Sequence, residues 1–104
     1  MPNKRGEPTE KEIQNEIRRY LQIRGWYVIR IQQGMGAHKG LSDLIAVKGG
    51  RVVFAEIKTP RGRLSEYQRE FERELAAHGG EYAVLRSVED AMRLDKYGVS
   101  VREV

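Results

Sequence analysis

We predict from the sequence an α/β fold: a single domain in which helices flank a mixed β-sheet, in the order α-β-β-β-α-β-α. Three observations predict it. The chain has 104 residues, enough for one hydrophobic core and too few for two. Apolar residues recur at helical spacing in some segments and form short β-branched runs in others. A tight glycine turn requires one antiparallel strand pair, and a later strand-helix-strand unit requires a parallel pair.

The first helix is predicted over residues 10–24. Thr9 and Glu12 form a capping-box pattern, in which each side chain pairs with a free backbone N–H at the start of the helix. The apolar positions that follow at helical spacing are Ile13, Ile17, Tyr20 and Leu21. The polar residues 1–8, which contain two prolines and a glycine, are expected to form a flexible arm, so that the folded domain is residues 9–104.

Three strands are predicted next, over residues 26–31, 43–47 and 51–58. These segments are rich in β-branched and aromatic side chains. A polar, glycine-rich loop joins the first two strands, and Gly49-Gly50 is typical of a tight hairpin turn between the second and the third. Pro60 ends the third strand because proline cannot donate a hydrogen bond to a sheet.

The remaining elements are a helix, a strand and another helix. Ser65 and Gln68 form a second capping signal, for a helix that ends before a pair of glycines. Its buried stripe is predicted to be Tyr67, Phe71 and Leu75, together with Leu64. Residues 81–86 are the fourth strand, Ser87 caps the last helix, and residues 99–104 would add an edge strand.

The composition excludes several classes of protein and site. There is no cysteine, so disulfides, thiolate zinc sites and cysteine nucleophiles are ruled out. With only His38 and His78 present, a histidine zinc site is not expected either, and any metal should be held by oxygen. No apolar run approaches the roughly 20 residues of a membrane span, and no secretion signal opens the chain, so we expect a cytoplasmic protein.

The charge is unevenly distributed along the chain. The net charge is +4, but residues 1–64 carry 13 lysines and arginines against 6 acidic residues, whereas residues 65–104 carry 6 against 9. A basic segment of this size indicates a polyanionic partner, of which nucleic acid is the commonest.

Polar side chains lie inside two of the predicted strands. Because side chains alternate along a strand, Glu56 and Lys58 share the sheet face begun by Val52 and Phe54. The apolar run before them is typical of a central strand, where a buried carboxylate is costly unless a cation or hydrogen bonds compensate it. Counting outward from the glycine turn places Asp43 opposite Glu56, across the antiparallel pair.

Two facing carboxylates repel each other, and a divalent cation removes this conflict. Mg²⁺ suits a sparse oxygen site of this kind, because it keeps several waters and binds phosphate. Such a metal would polarise a phosphodiester, while Lys58 would orient the attacking water or stabilise developing charge. The pattern therefore predicts metal-assisted phosphodiester hydrolysis. Taken singly, Asp43 also fits a turn residue, and Glu56 and Lys58 also fit an ordinary edge strand.

Three segments together carry a specific pattern. They are Gly40-Leu-Ser-Asp43-Leu-Ile-Ala, Val53-Phe-Ala-Glu56-Ile-Lys58-Thr-Pro60 and Gly62-Arg-Leu-Ser65-x-x-Gln68. They resemble the VRR-Nuc family, a branch of the PD-(D/E)XK nuclease superfamily, which implies a restriction-endonuclease-like fold. The resemblance also implies that Asp43, Glu56 and the Ile57 carbonyl bind the metal. It further implies that Lys58 is the catalytic lysine and that Gln68 lies near the site.

Related nucleases often carry a glutamate on the first helix that assists metal or water binding. The helix pattern of this sequence puts Gln14 at that place, and a glutamine can bind a metal-bound water but cannot share the charge of the metal. Glu12 and Glu16 lie nearby in the sequence, and each remains an alternative source of a carboxylate.

Basic residues near the predicted site are candidates for contacts with DNA phosphates: Lys39, Arg61 and Arg63. The glycine-rich loop that contains Lys39 lacks the Gly-Lys-Ser/Thr ending of a phosphate-binding P-loop. We expect it instead to let the DNA backbone approach the metal. Weaker candidates are His38, Arg30 and Arg51.

The resemblance implies a Mg²⁺-dependent DNA endonuclease, with Mn²⁺ as a substitute metal. Small stand-alone members of the family occur in phages and bacteria, tend to form homodimers and resemble archaeal Holliday-junction resolvases. We therefore expect a branched or four-way DNA junction as the substrate and a bacterial or phage-infected cell as the setting. The alternatives are a general nicking or flap nuclease, and a non-catalytic DNA-binding module that uses only the basic segment.

Overall fold

The computed structural model describes residues 6–32 and 37–97. Its elements follow the predicted order: α1 Glu10–Ile23, β1 Tyr27–Arg30, β2 Leu44–Lys48, β3 Arg51–Ile57, α2 Glu66–Ala77, β4 Glu81–Leu85 and α3 Val88–Tyr97. The predicted edge strand, residues 99–104, and residues 1–5 of the predicted arm lie outside the described residues. Both predicted capping boxes are present, at the starts of α1 and α2.

The four strands form one mixed sheet in the order β1-β2-β3-β4. The first three strands are antiparallel, and β3 and β4 are parallel because α2 connects them as a crossover. Gly49 and Gly50 join β2 to β3 with φ angles of 57° and 81°, a left-handed backbone that favours glycine. This turn fixes the register of the hairpin, in which Lys48 pairs with Arg51.

One face of the sheet carries the main hydrophobic core. Val53, Ala55 and Ile57 of β3 are fully buried on this face. Together with residues of β2 and β4, they form one cluster with apolar side chains of the two covering helices, which are Ile13, Ile17 and Leu21 of α1 and Ala91 and Leu94 of α3. Trp26 belongs to the same core.

The opposite face is covered by α2. Phe71 and Leu75 of this helix pack with Phe54 of β3 and with Tyr82 and Val84 of β4, in a smaller cluster that also includes Leu64. Among the residues that the structure describes, no helix combines the length and the apolar character that a membrane crossing requires.

One prediction for the buried stripe of α2 is wrong. Tyr67 was expected in it and is instead 56% exposed. This residue lies one helical turn before Phe71, and its ring contacts the Lys39 side chain. The predicted stripe therefore packs on the sheet through Phe71 and Leu75, whereas Tyr67 faces the loop before β2.

Candidate active site

Asp43 and Glu56 face each other at the open end of the β2–β3 hairpin. Leu44 pairs with Ala55, so the next positions outward on the two chains are Asp43 and Glu56. The backbone N–H of Ile57 donates a hydrogen bond of 2.9 Å to Asp43 Oδ2. The opposition of Asp43 and Glu56 that we counted from the glycine turn is thus confirmed.

Glu56 is almost completely buried, with 2% of its surface exposed. Its Oε2 atom accepts a hydrogen bond of 2.8 Å from Gln68 Nε2 and lies 3.8 Å from Lys58 Nζ. No donor group in the described part of the chain reaches the other oxygen, Oε1, which is also buried. The glutamate therefore keeps one oxygen free of donors in the interior of the protein.

The surroundings of Glu56 disfavour its charge. Burial raises its pKa most strongly, and the nearby carboxylate of Asp43 raises it further. The Lys58 ammonium lowers it, while a hydrogen bond with Asp43 and the charge of Glu10 add to the increase, so that the pKa is about 8. The Glu56 carboxyl therefore holds a proton near neutral pH when no cation lies beside it.

Gln68 is held in place by the cap of its own helix. Its backbone N–H donates to Ser65 Oγ at 3.2 Å, and its Oε1 accepts from the Ser65 backbone N–H at 2.8 Å. With Oε1 used in this capping box, Nε2 is directed at Glu56. The structure therefore places Gln68 beside Glu56, in a cleft that Asp43 also lines.

The predicted Gln14 lies in a cleft of about 410 Å³ next to Asp43. The other lining residues are Glu10, Lys11, Asn15, Arg30 and Ile31. Glu10, which the sequence analysis missed, is the carboxylate that α1 contributes to this cleft. The sequence feature that could have identified Glu10 is its spacing of four residues from Gln14, which puts both side chains on one side of the helix.

The alternatives Glu12 and Glu16 lie elsewhere. Glu12 Oε1 accepts a hydrogen bond of 2.8 Å from the Thr9 backbone N–H in the capping box of α1. Both glutamates line a separate cavity with Pro60 and Arg86. Because each residue turns an α-helix by about 100°, positions two and six residues after Glu10 point away from the cleft, and neither alternative supplies its carboxylate.

Lys39 lies beside a second cleft, of about 350 Å³, that also opens on Asp43 and Gln68. Its ammonium lies 3.3 Å from the Tyr67 hydroxyl and 4.7 Å from the centre of the ring. His38, one of the weaker candidates, instead packs edge-on against Phe71 at 5.7 Å between ring centres. This packing accounts for the position of His38 without a role in the site.

Arg61 and Arg63 lie in the turn that follows Lys58, and both are exposed. The turn is held by Arg86, which the sequence analysis did not identify. Arg86 Nη1 donates to the carbonyl oxygens of Thr59 and Gly62 at 2.7 Å and 2.6 Å. The segment immediately after Lys58 is therefore fixed by a side chain from the end of β4.

Three of the arginines that were predicted as phosphate contacts have a defined partner or location in the fold. Arg61 Nη2 lies 3.4 Å from Glu7, in the described part of the predicted arm. Arg30 lines the same cleft as Gln14. Arg51 forms an ion pair with Glu81 and donates to the backbone carbonyl of residue 94 at 3.0 Å, so it acts within the fold and is not available for the cleft.

The donors at the hairpin end are consistent with a magnesium-like ion. In the described ranges 6–32 and 37–97, no group of three or more His, Cys, Asp and Glu side chains is arranged to hold a metal. Mg²⁺ needs no such group, because it binds proteins through one or two carboxylates and keeps waters in its other positions. Asp43 and the donor-free Oε1 of Glu56 supply two carboxylates, and the Ile57 carbonyl lies next to them in sequence.

Comparisons with known proteins agree with the overall fold. The sequence profile of the VRR-NUC domain family matches residues 8–89. A solved structure described as a VRR-NUC domain superposes with a TM-score of 0.72 at 20% identity, covering 82% of this chain and 91% of that chain. Hjc of Archaeoglobus fulgidus, described as a Holliday junction resolvase, gives a TM-score of 0.57 at 17% identity, covering 74% of this chain and 67% of that chain. At these identities the two structures show a shared fold. No curated protein matches the chain.

Proposed function

Because the chain belongs to the VRR-NUC domain family, within the PD-(D/E)XK nucleases, we propose that it is a metal-dependent endonuclease that hydrolyses phosphodiester bonds in DNA. The observation that carries this proposal is the pairing of the half-buried Asp43 with the buried Glu56, two carboxyl groups whose charges conflict. An arrangement that costs stability without a cation is expected where a cation binds.

The metal we propose is Mg²⁺, with Mn²⁺ as a substitute. Asp43, Glu56 and the backbone carbonyl of Ile57 would hold it, and Gln14 and Glu10 on α1 would contact its waters from the adjoining cleft. When bound, such an ion supplies positive charge that polarises the scissile phosphate and lowers the pKa of a coordinated water.

The other steps of the proposed reaction depend on the side chains of Lys58 and Gln68, whose positions are fixed by the fold. Lys58 has only 13% of its side chain exposed and lies on the same sheet face as Glu56, so its ammonium is positioned to donate to a phosphate oxygen or to the attacking water. Gln68 orients the Glu56 carboxylate by its hydrogen bond to Oε2. Each of these groups acts from a strand or a capped helix, which limits its movement.

We propose that Lys39, Arg61 and Arg63 bind DNA phosphates on either side of the candidate site. Lys39 precedes β2 and the two arginines follow β3, so the three flank the pair of acidic residues. The excess of basic residues before position 65 supports a polyanionic substrate.

The substrate we favour is a four-way DNA junction, cut by a homodimer. The protein shares its fold with Hjc, which is described as a Holliday junction resolvase. A four-way junction has two symmetry-related cut positions, and a two-fold dimer presents two active sites to them. Nicking of plain duplex and cutting of flaps are the alternative enzymatic activities. The alternative that is not an enzyme is a module that binds DNA without cleaving it.

One experiment separates these outcomes. The purified protein is incubated with a labelled four-way junction, a flap and a plain duplex of matched sequence, with Mg²⁺ or with a chelator. We expect paired cuts in the junction only with Mg²⁺, and none by Asp43→Asn, which should still bind DNA. Cutting of duplex or flap with an intact junction would overturn the resolvase assignment, and binding without any Mg²⁺-dependent cut would overturn the nuclease itself.

A further inference from the structure

Tyr67 occupies an unusual position for a large aromatic residue. It lies on the first turn of α2, one turn before the buried Phe71, and is nevertheless 56% exposed. It lines the cleft of about 350 Å³ that also contains Asp43 and Gln68. An exposed ring therefore lines the same cleft as Asp43, one of the two candidate metal ligands.

The contact between this part of α2 and the loop before β2 is tight. Gly40 has a φ angle of 81°, and a Cβ atom there would lie 2.1 Å from the backbone carbonyl oxygen of Tyr67. Any side chain at position 40 would force the loop and the helix apart. The relative position of Lys39 and Tyr67 is thus set by backbone packing, and not only by the contact between their side chains.

The two side chains offer complementary chemistry to a nucleotide. The Lys39 ammonium lies 4.7 Å from the centre of the Tyr67 ring and 3.3 Å from its hydroxyl. An ammonium suits a phosphate, and an exposed ring suits the face of a base that has left its stack. A base inside a continuous duplex is covered on both faces by its neighbours and offers no such surface.

We propose that Tyr67 and Lys39 form a nucleotide subsite, in which Lys39 binds the phosphate next to the scissile one and Tyr67 stacks on an unstacked base. This subsite selects DNA that is open or branched at the cut position over continuous duplex. The proposal rests on the proposed nuclease function and assigns to that site the feature that recognises branching.

The test compares affinities for a four-way junction and for a duplex of the same sequence, measured in a chelator so that no DNA is cut. Tyr67→Leu removes the ring, and Tyr67→Phe keeps the ring but loses the hydroxyl contact with Lys39. Tyr27→Leu is the matched control, because Tyr27 is a 70% exposed tyrosine on β1 that lines neither cleft next to Asp43. Circular dichroism and thermal melting check that each variant folds.

We expect Tyr67→Leu to lower the ratio of junction affinity to duplex affinity at least about fivefold, as the loss of one stacked base predicts. Tyr67→Phe, which keeps the ring, should have a ratio within about twofold of the wild type, and Tyr27→Leu should not change the ratio. A 2-aminopurine base at the branch point should lose fluorescence on binding to the wild type and to Tyr67→Phe, and not on binding to Tyr67→Leu.

Two results would overturn the subsite. One is an unchanged ratio in Tyr67→Leu, and the other is an equal loss in Tyr67→Phe, which would show that the hydroxyl acts through Lys39 without stacking. Cleavage by the wild type with Mg²⁺ is scored separately. If the ratio depends on the ring while no DNA is cut, the nuclease proposal fails and only the selection of open or branched DNA by Tyr67 stands.

Discussion

Gln68 joins the start of α2 to the buried carboxylate of Glu56 through the two ends of one amide group. Its Oε1 accepts a hydrogen bond of 2.8 Å from the Ser65 backbone, and its Nε2 donates one of 2.8 Å to Glu56 Oε2. The residue that caps the helix is therefore also the residue that orients the candidate metal ligand.

The first prediction separates these two roles of Gln68. In Gln68→Glu, a carboxylate retains the capping interaction with Ser65, as glutamate does in most capping boxes, but it cannot donate to Glu56. We expect a melting temperature within a few degrees of the wild type and cleavage reduced at least about tenfold, because the new charge adds to the repulsion around Glu56. Thermal melts and single-turnover cleavage measure the two effects. Equal activity in this variant would remove Gln68 from the site.

The second prediction concerns the cost of the Glu56 charge. The pKa of Glu56 is raised to about 8 in the folded protein. The contribution of the protonated Glu56 side chain to the free energy of unfolding is therefore complete at low pH and is lost as the pH rises toward 8. Glu56→Gln has no such loss. In a chelator, the variant should be as stable as the wild type near pH 4 and more stable, by on the order of 2 kcal/mol, at pH 7. Urea unfolding at both pH values tests this, and a destabilised variant at pH 7 would contradict it.

The third prediction is the effect of the metal on stability. Ligands that bind only the folded state raise the melting temperature, and the increase grows with ligand concentration. Mg²⁺ or Mn²⁺ should therefore stabilise the wild type and should have little effect on Glu56→Gln or Asp43→Asn. Differential scanning fluorimetry across a metal titration measures this. Equal shifts in all three proteins would place the ion away from the hairpin end.

The fourth prediction concerns the turn after Lys58, which contains two trypsin sites at Arg61 and Arg63. Arg86 holds this turn by hydrogen bonds to the backbone carbonyls of Thr59, Pro60 and Gly62. In Arg86→Met the hydrogen bonds from the guanidinium are lost, so trypsin should cut after Arg61 or Arg63 several times faster, and DNA cleavage should fall as the position of Lys58 becomes less defined. Limited proteolysis with mass spectrometry identifies the cuts. Unchanged proteolysis would show that the turn is rigid without Arg86.

The fifth prediction is a loss of stability in acid through Asp95 on α3. Its carboxylate is 4% exposed and accepts hydrogen bonds from Arg24, Trp26 and Lys48 at 2.9, 2.8 and 3.0 Å. Burial alone would raise its pKa, but these three hydrogen bonds outweigh burial and lower the pKa to about 2. The stabilisation is therefore present above about pH 4 and is lost as the pH falls toward 2.

Asp95→Asn tests this directly. The variant should be less stable than the wild type by about 1–3 kcal/mol at pH 7, and the difference should shrink between pH 4 and pH 2. Chemical unfolding at several pH values measures it. A constant difference from pH 7 to pH 2 would show that the charge of the Asp95 carboxylate does not contribute to stability.

Much of the site was accessible from the sequence because the hairpin turn is a pair of glycines. With the turn located, the strict alternation of strands places Asp43 against Glu56 without any knowledge of the rest of the fold. The capping pattern likewise located Gln68 at the start of α2. In both cases the information is local, since it depends on residues that are close together along the chain.

The residues that were missed or wrongly assigned are those whose roles depend on contacts between parts of the chain that are distant in sequence. Which side of α1 faces the hairpin depends on how the helix packs, so Glu10 could not be chosen over Glu12 and Glu16 by charge alone. Tyr67 has the spacing of a core residue, but the loop that lies against it determines its exposure. The bonds from Arg86 to a turn 24 to 27 residues earlier have no spacing signature at all.

The two-glycine turn has a consequence for how this protein tolerates insertions. The turn lies roughly 20 Å along β2 from Asp43, and a Cβ atom on either glycine would meet open space, so only the left-handed backbone restricts the choice of residue there. A third residue inserted between Gly49 and Gly50 would shift one strand against the other and turn alternate side chains to the wrong face. Such an insertion would separate Asp43 from Glu56 at the far end of the hairpin and should abolish the proposed cleavage, although both side chains would still be present.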